Sequence, residues 1–335
     1  MRRLSPLLLP LALFCCHRSQ SSATLPTVPT VRIAIHRDPI AFLPVRVAQT
    51  LGYYEAEGIA VALSEVAGGS KALEALLGGS VDVAAASMSD AVQIAAEGRD
   101  LRAFLVLYTR SSTVLAVTPA LRGTIRTIRD LKGRTIGVST PGSWTHQFLN
   151  SLLVTNGLSP EDVSTVSVGL SASSVAAVEH GTVDAAVLVG SAITAFEERH
   201  SGTLLLVDAR TQAGMQQVFG SEVFPGLSMV AQDNWLRANP EIAQRFVRAL
   251  KRGMGWVRDR PAEQVRQMIP DGARMSEEAD LQAIHRMQQG ISTDGLMPAG
   301  GAELVENFLA LSNPKVRAAH LDTAKTYTNE FACVK

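Results

Sequence analysis

The chain has 335 residues, is 46% hydrophobic and 19% charged, and balances 31 basic against 31 acidic residues. That length and apolar content can bury one large or two medium cores. No basic block is present, which argues against nucleic acid as a partner, because phosphate contacts need clustered Lys and Arg.

Residues 1–23 read as a secretory signal peptide. Arg2 and Arg3 form a positive start, 4–14 is apolar, and Ser21-Ser22-Ala23 supplies small residues for cleavage. The apolar run is too short, and too broken by Pro6 and Pro10, to span a bilayer. Cleavage would remove Arg2, Arg3 and Arg18, leaving 28 basic against 31 acidic residues. Cys15 and Cys16 stand where a lipoprotein carries its lipidated cysteine, but Leu13-Phe14 lacks the small residue expected before it. Lipid anchoring is therefore the alternative to simple export. Without it only Cys333 survives processing, and one cysteine forms neither an internal disulfide nor a metal cluster. No other stretch is long and apolar enough to cross a membrane.

After a Pro/Thr-rich leader at 24–30, residues 31–36 (VRIAIH) form the first expected strand, followed by a loop at 37–40. Pro44 suits the first turn of a helix that ends near Gly52, a residue able to take the left-handed position. A strand is expected at 60–66, then Gly68-Gly69-Ser70 with Ser70 as N-cap of a helix over 71–77. Gly78-Gly79 stops that helix before a small-residue buried strand at 81–86. A helix at 90–97 and strands at 102–109 and 113–118 follow, the last two separated by a polar break at 110–112.

From Gly123 the pattern begins again, with a strand at 134–139, a helix at 143–156, a strand at 165–169, a helix at 172–179 and a strand at 183–189. GGSVDVA at 78–84 matches HGTVDAA at 180–186, 102 residues later. RIAIH at 32–36 corresponds to TIGVS at 135–139 at nearly the same offset. A repeat this long means two similar units, since solenoid repeats run only about 20–50 residues. Residues 223–232 read as a strand returning to the first unit. Pro240 then opens a long helix, 241–258, with Ile242, Phe246, Leu250, Met254 and Val257 on one stripe. The remainder reads as helices at 262–269, 277–289 and 302–311.

The stretch LGYYEAEGI at 51–59, the Gly-Gly at 68–69 and ALEALLGGSVDVA at 72–84 resemble the solute-binding proteins of ABC importers. The similar branch is the nitrate/sulfonate/taurine (NMT1/THI5-like) group, which also holds thiamine-precursor binders, and the likeness runs over the chain after residue 30. The resemblance implies an α/β, two-lobed periplasmic binding protein fold of type II. Each lobe would be a mostly parallel sheet flanked by helices, with the ligand cleft between lobes. Residues 30–110 plus 222–335 would form lobe 1 and 111–221 lobe 2, with crossovers near 110–112 and 218–224. The C-terminal helices would belong mainly to lobe 1. The protein would be a periplasmic, monomeric, non-catalytic receptor without cofactor, serving an ABC permease and its ATPase.

Ligands of open parallel sheets bind beyond the carboxyl ends of strands, where helix N-termini favour anions. Small-residue turns at such points occur at 68–70, 87–89, 139–143, 171–173 and 190–191. They nominate Gly69, Ser70, Ser87, Ser89, Ser139, Ser143 and Ser191, although a serine at a helix start is common without any ligand. Trp144 can supply a flat wall and an N–H donor. His146, one turn further, either faces the cleft or is held within its own lobe. Arg37 either pairs with a carboxylate, sulfonate or phosphate or is simply solvated. Phe42 suits an apolar ligand body. Asp90 either faces the ligand, which would then carry an amine or N–H, or only caps its helix, and Asp38 lies near the same place. Asp82 and Asp184, the repeated Asp of the V-D signature, sit at strand starts and read as structural. The favoured ligand is a small organic anion of sulfonate or carboxylate kind. No G-x-S-x-G, H-E-x-x-H, P-loop or G-x-G-x-x-G occurs, and the seven histidines are scattered. A pyrimidine-forming enzyme of the same fold is the alternative. That branch carries a Cys-rich iron-binding motif, which this chain lacks.

Overall fold

In the computed structural model, which describes residues 28–333 apart from 171 and 201, ten strands form two five-stranded sheets. The expected signal peptide, with Cys15 and Cys16, lies outside the described residues, and so does Ser171. The first part of the chain runs β1 (Thr30–His36), α1 (Leu43–Thr50), α2 (Tyr53–Ala56), β2 (Ala60–Val66), α3 (Gly69–Leu77), β3 (Val83–Ser87), α4 (Met88–Ala96) and β4 (Leu101–Val106). The second runs β5 (Thr113–Val117), β6 (Thr135–Val138), α5 (Trp144–Thr155), β7 (Ser164–Ser167), α6 (Ala172–Glu179), β8 (Ala185–Val189), α7 (Ser191–Arg199), β9 (Leu205–Asp208) and α8 (Gln212–Phe219). β10 (Leu227–Gln232) leads to α9 (Asp233–Ala238), α10 (Pro240–Asp259), α11 (Ala262–Arg266), α12 (Glu277–Gly290), α13 (Gly301–Ala310) and α14 (Pro314–Ala319).

The sheets have the orders β2-β1-β3-β10-β4 and β7-β6-β8-β5-β9. Position by position they match. β1 pairs in parallel with β2 and β3, as β6 does with β7 and β8. The fourth strand of each sheet enters from the other half and runs antiparallel to both neighbours. Each sheet is therefore mixed, with four strands in one direction and one against. Residues 32–36 and 135–138 lie in separate sheets, as the repeat requires.

The repeated aspartate has the same duty in both halves. Asp82 accepts a hydrogen bond from the Arg32 N–H (2.9 Å), and Asp184 accepts one from the Thr135 N–H (2.8 Å). Each carboxylate, at the start of the third strand of its sheet, satisfies a backbone donor near the start of the neighbouring parallel strand, β1 or β6. Arg32 adds a charged contact to Asp82.

The halves join through two strands of chain lying side by side. The Phe224 N–H donates to the Thr109 carbonyl and the Gly226 N–H to the Tyr108 carbonyl, both at 2.9 Å. α10 packs on α1 and α2 by the stripe expected from its sequence. Phe246, Leu250, Met254 and Val257 are buried, each worth about 1.5–3 kcal/mol. The helices touch where Gly253 meets α1; a Cβ there would stand 2.3 Å from the Pro44 carbonyl oxygen.

Of the C-terminal helices, α10 lies on α1 and α2 and α14 on α4, while α12 also packs on α7, and α13 packs on both α4 and α5. The apolar face of α13 carries Phe308 into the ring cluster of Trp144, Phe148, Phe219 and Phe224, which draws the helix across the boundary. Among the described residues no helix is long and apolar enough to cross a membrane.

Candidate functional site

The carboxyl ends of the parallel strands of both sheets face a common cavity of about 580 Å³. Eight of the residues nominated from sequence line it: Gly69, Ser70, Ser87, Asp90, Ser139, Ser143, Trp144 and Ser191. Four do not. Arg37 is exposed on the loop after β1. Phe42 is fully buried, edge-on to His36 at 4.7 Å, and belongs to the core. Ser89 is buried with its hydroxyl donating to Ser87 Oγ at 2.9 Å. His146 turns back on its own loop, its Nδ1 accepting from the Gly142 N–H at 3.0 Å, and burial holds its pKa below the ordinary value.

The turn into α4 is a capping box. Asp90 Oδ2 accepts from the Ser87 N–H (2.9 Å), and Ser87 Oγ accepts from the Ser89 N–H (3.3 Å). Asp90 thus both caps its helix and lines the cavity. Burial pushes its carboxyl up to about 7, against the opposing pull of the Ser87 N–H. In the turn into α3 the cap is Gly68, whose extended backbone carries the chain into the helix at Gly69. Ser70 therefore lies inside the first turn and is not the N-cap. Its hydroxyl reaches across the cavity to Thr140 Oγ1 at 3.4 Å.

On the opposite wall Ser139, Ser143 and Thr145 form a closed set of hydroxyls. Ser139 Oγ donates to Ser143 Oγ (2.8 Å), and Thr145 Oγ1 accepts from the Ser139 N–H (2.8 Å). Ser143 Oγ also lies 2.9 Å from Thr145 Oγ1. Much of their bonding capacity is thereby spent within the wall. The Trp144 indole N–H is spent too, donating to Thr113 Oγ1 at 2.9 Å, while its ring packs on Phe224 at 5.3 Å and Phe148 at 5.6 Å. Trp144 offers the cavity a wall and not a donor.

Several groups in the cavity were not singled out as contacts from sequence. His36, at the end of β1, has a buried Nδ1 with no hydrogen-bond partner. Burial lowers its pKa, and the nearby Asp38 charge opposes the shift. Ser111, between the two halves, has a buried hydroxyl without a partner. Arg110 beside it is exposed and lines the cavity. Asp38 is 3% exposed; its Oδ1 accepts from the N–H groups of Ile40 and Ala41, both at 2.9 Å. Tyr108 fixes that loop by donating to the Ala41 carbonyl at 2.7 Å.

At the far end Arg210 pairs with both Asp208 and Glu197, each at 2.7 Å, and Arg286 of α12 pairs with Glu197 at 2.8 Å. Despite burial, these carboxylates raise the Arg210 pKa further. Two positive and two negative groups leave this end locally neutral. The polar break at 110–112 was the available sequence signal for Arg110 and Ser111. Residues 190–222, with Asp208 and Arg210, carried no strong periodicity. Among the described residues no three His, Cys, Asp or Glu side chains converge as a metal site.

The profile of a family described as NMT1/THI5 like matches residues 40–264. A 4-amino-5-hydroxymethyl-2-methylpyrimidine phosphate synthase of Schizosaccharomyces pombe is 27% identical over 216 residues, 62% of this chain. The aligned region spans only 59% of that relative's length. The riboflavin-binding protein RibY of Chloroflexus aurantiacus is 26% identical over 91% of this chain and 87% of its own. Among solved structures, a protein from Bordetella bronchiseptica RB50 superposes with a TM-score of 0.85 and 32% identity, covering 90% of this chain and 95% of that one. The periplasmic aliphatic sulphonate binding protein SsuA of Escherichia coli superposes with a TM-score of 0.67 at 20% identity, covering 91% and 99%. The fold is that of the periplasmic binding proteins.

Proposed function

The chain belongs to the NMT1/THI5-like family, and from that premise we propose that it is the solute-binding component of an ABC importer. Residues 1–23 export it, to the periplasm in a Gram-negative host. Residues 30–110 plus 222–335 and residues 111–221 act as the two lobes. They close on a small polar organic solute and present it to a permease and its ATPase.

The observation that carries this reading is the cavity itself. It is lined from both sheets, and polar contacts cross it at Ser70–Thr140 and Asp38–Ser191. A solute touching both walls favours the closed arrangement over the open one by its differential contacts. About 580 Å³ suits an organic molecule, whereas bare nitrate would occupy a small part of it.

The cavity offers more than a site for a small organic anion of sulfonate or carboxylate kind. Asp38 and Asp90 present acceptors, and His36 Nδ1 and Ser111 Oγ are unspent. These favour a solute with amine or ring N–H donors. Arg110, which takes the part expected of Arg37, supports an additional anionic or acceptor group on the same solute. RibY, a binder of similar length, supports an organic heterocycle within this range.

A second reading, a pyrimidine-forming synthase, draws on the names of several relatives. Against it stands the sequence, which lacks the Cys-rich iron-binding motif of that branch. Calorimetry on the mature protein with alkanesulfonates, carboxylates, amino acids, thiamine pyrimidines and riboflavin tests both. Saturable binding of an N–H-bearing solute without turnover is expected. Formation of a pyrimidine product, or no binding from any member of the panel, would overturn the receptor reading.

A further inference from the structure

We infer that Asp38 is a built-in anion that occupies the start of α7 from the opposite wall of the cleft, so that it draws the lobes together and denies that position to anionic solutes. The inference rests on the cleft being the solute site.

α7 is nine residues long and opens at Gly190, with no side-chain cap and no acidic residue in its first turn. The positive end of the helix is thus left uncompensated by its own sequence, a situation that favours an anion. The anion present belongs to the protein. Asp38 comes from the loop after β1, in the other sheet's half, and its Oδ2 stands 3.5 Å from the Ser191 N–H. Its Oδ1 is held by the Ile40 and Ala41 N–H groups, so the carboxylate is aimed and does not swing freely. Every hydrogen bond to it among the described residues comes from a backbone N–H.

Gly190 completes the arrangement from the other side. It has φ +56, and a Cβ there would lie 2.2 Å from Asp38 Oδ2. Only a residue without a side chain allows the carboxylate to come this close to the helix start. A sulfonate or sulfate at that position would need the same N–H groups and would meet a like charge on a residue only 3% exposed to solvent. An anionic solute group must therefore sit elsewhere in the cavity.

The test uses inorganic sulfate as probe, in calorimetric titration of the mature chain. Asp38→Asn keeps the Oδ1 acceptor for Ile40 and Ala41 but turns an amide donor toward α7. This variant should bind sulfate at least ~10-fold tighter than the unaltered protein. Adding Ser191→Pro removes the N–H at a position where proline is tolerated, and should abolish the gain. Equal sulfate affinity in Asp38→Asn and the unaltered chain, including none in either, would overturn the inference, as would a gain that survives Ser191→Pro. Should Asp38→Asn fail to fold, Ser191→Pro alone decides. The unliganded protein should then expand by small-angle scattering, and an unchanged radius of gyration would refute the closing role. Sulfate binding depends on neither the natural solute nor the permease, so failure here is distinct from failure of the receptor reading.

Discussion

Replacing Asp90 by asparagine should stabilise the unliganded protein at neutral pH and have little effect in acid. The carboxyl is buried at the cavity wall, and burial raises it from 3.8 to about 7. A carboxyl raised on folding binds more protons in the native state than in the unfolded one between those values. Stability from this group is therefore full below about pH 4 and falls as pH rises through about 7. About three pH units at about 1.4 kcal/mol each set a ceiling of about 4 kcal/mol. The asparagine side chain would keep an oxygen for the Ser87 N–H, so the cap survives while the charge penalty disappears. The variant minus parent difference should be near zero at pH 4 and reach ~2–4 kcal/mol in favour of the variant at pH 8. Urea titrations at the two pH values measure it. A difference that is independent of pH, or a variant less stable at pH 8, would refute the assignment of a costly charge to this position. A destabilising carboxylate retained at a cleft is the mark of a binding group, so the same variant should bind an N–H-bearing solute more weakly.

Trp144→Ala removes a ring packed among four phenylalanines and should cost ~3–5 kcal/mol of stability by denaturant titration. Its effect on solute affinity should be smaller, ~1–3 kcal/mol, because the ring presents only a wall. Ser143→Ala opens the hydroxyl set on Ser139 and Thr145 and should cost about 1 kcal/mol in stability, with little change in affinity. Gly253→Ala forces α10 away from the Pro44 carbonyl and should lower stability by ~1–3 kcal/mol; an unchanged melting temperature would contradict the close approach. Arg286→Met breaks the Glu197 pair between α12 and α7. Because the guanidinium is 41% exposed, the loss should stay below ~1 kcal/mol, with scattering reporting whether the lobes separate.

The two-sheet architecture was legible because its signals are local and occur twice. Asp82 and Asp184 stand at equivalent strand starts, small residues follow them, and glycines close the helices before them. Chain order and strand length then leave few ways to form two sheets exchanging one strand each. The stripe of α10 was equally plain, since a 3.6-residue period over twenty positions specifies one buried face. Beyond the turn at 190–191, the elements α7, β9 and α8 went unread because α7 and α8 are short and β9 spans four residues, too few for a period to stand out.

The identity of the cavity wall was decided by tertiary structure. Sequence brought Arg37 forward because it follows the first strand, yet the chain bends there, the Asp38 N–H donating to the His36 carbonyl at 2.9 Å, so that His36 and Asp38 line the cavity and Arg37 is exposed. Trp144 lines the cavity, but the partner that takes its N–H is Thr113, thirty-one residues earlier in the chain. Arg110 gains its place only because the two crossovers lie side by side, and Asp38 meets α7 only because the two halves face each other. A sequence reveals periodicity, caps and turns through neighbours a few residues apart. Which hydrogen-bonding groups remain unspent depends on partners that only the packed fold brings within reach.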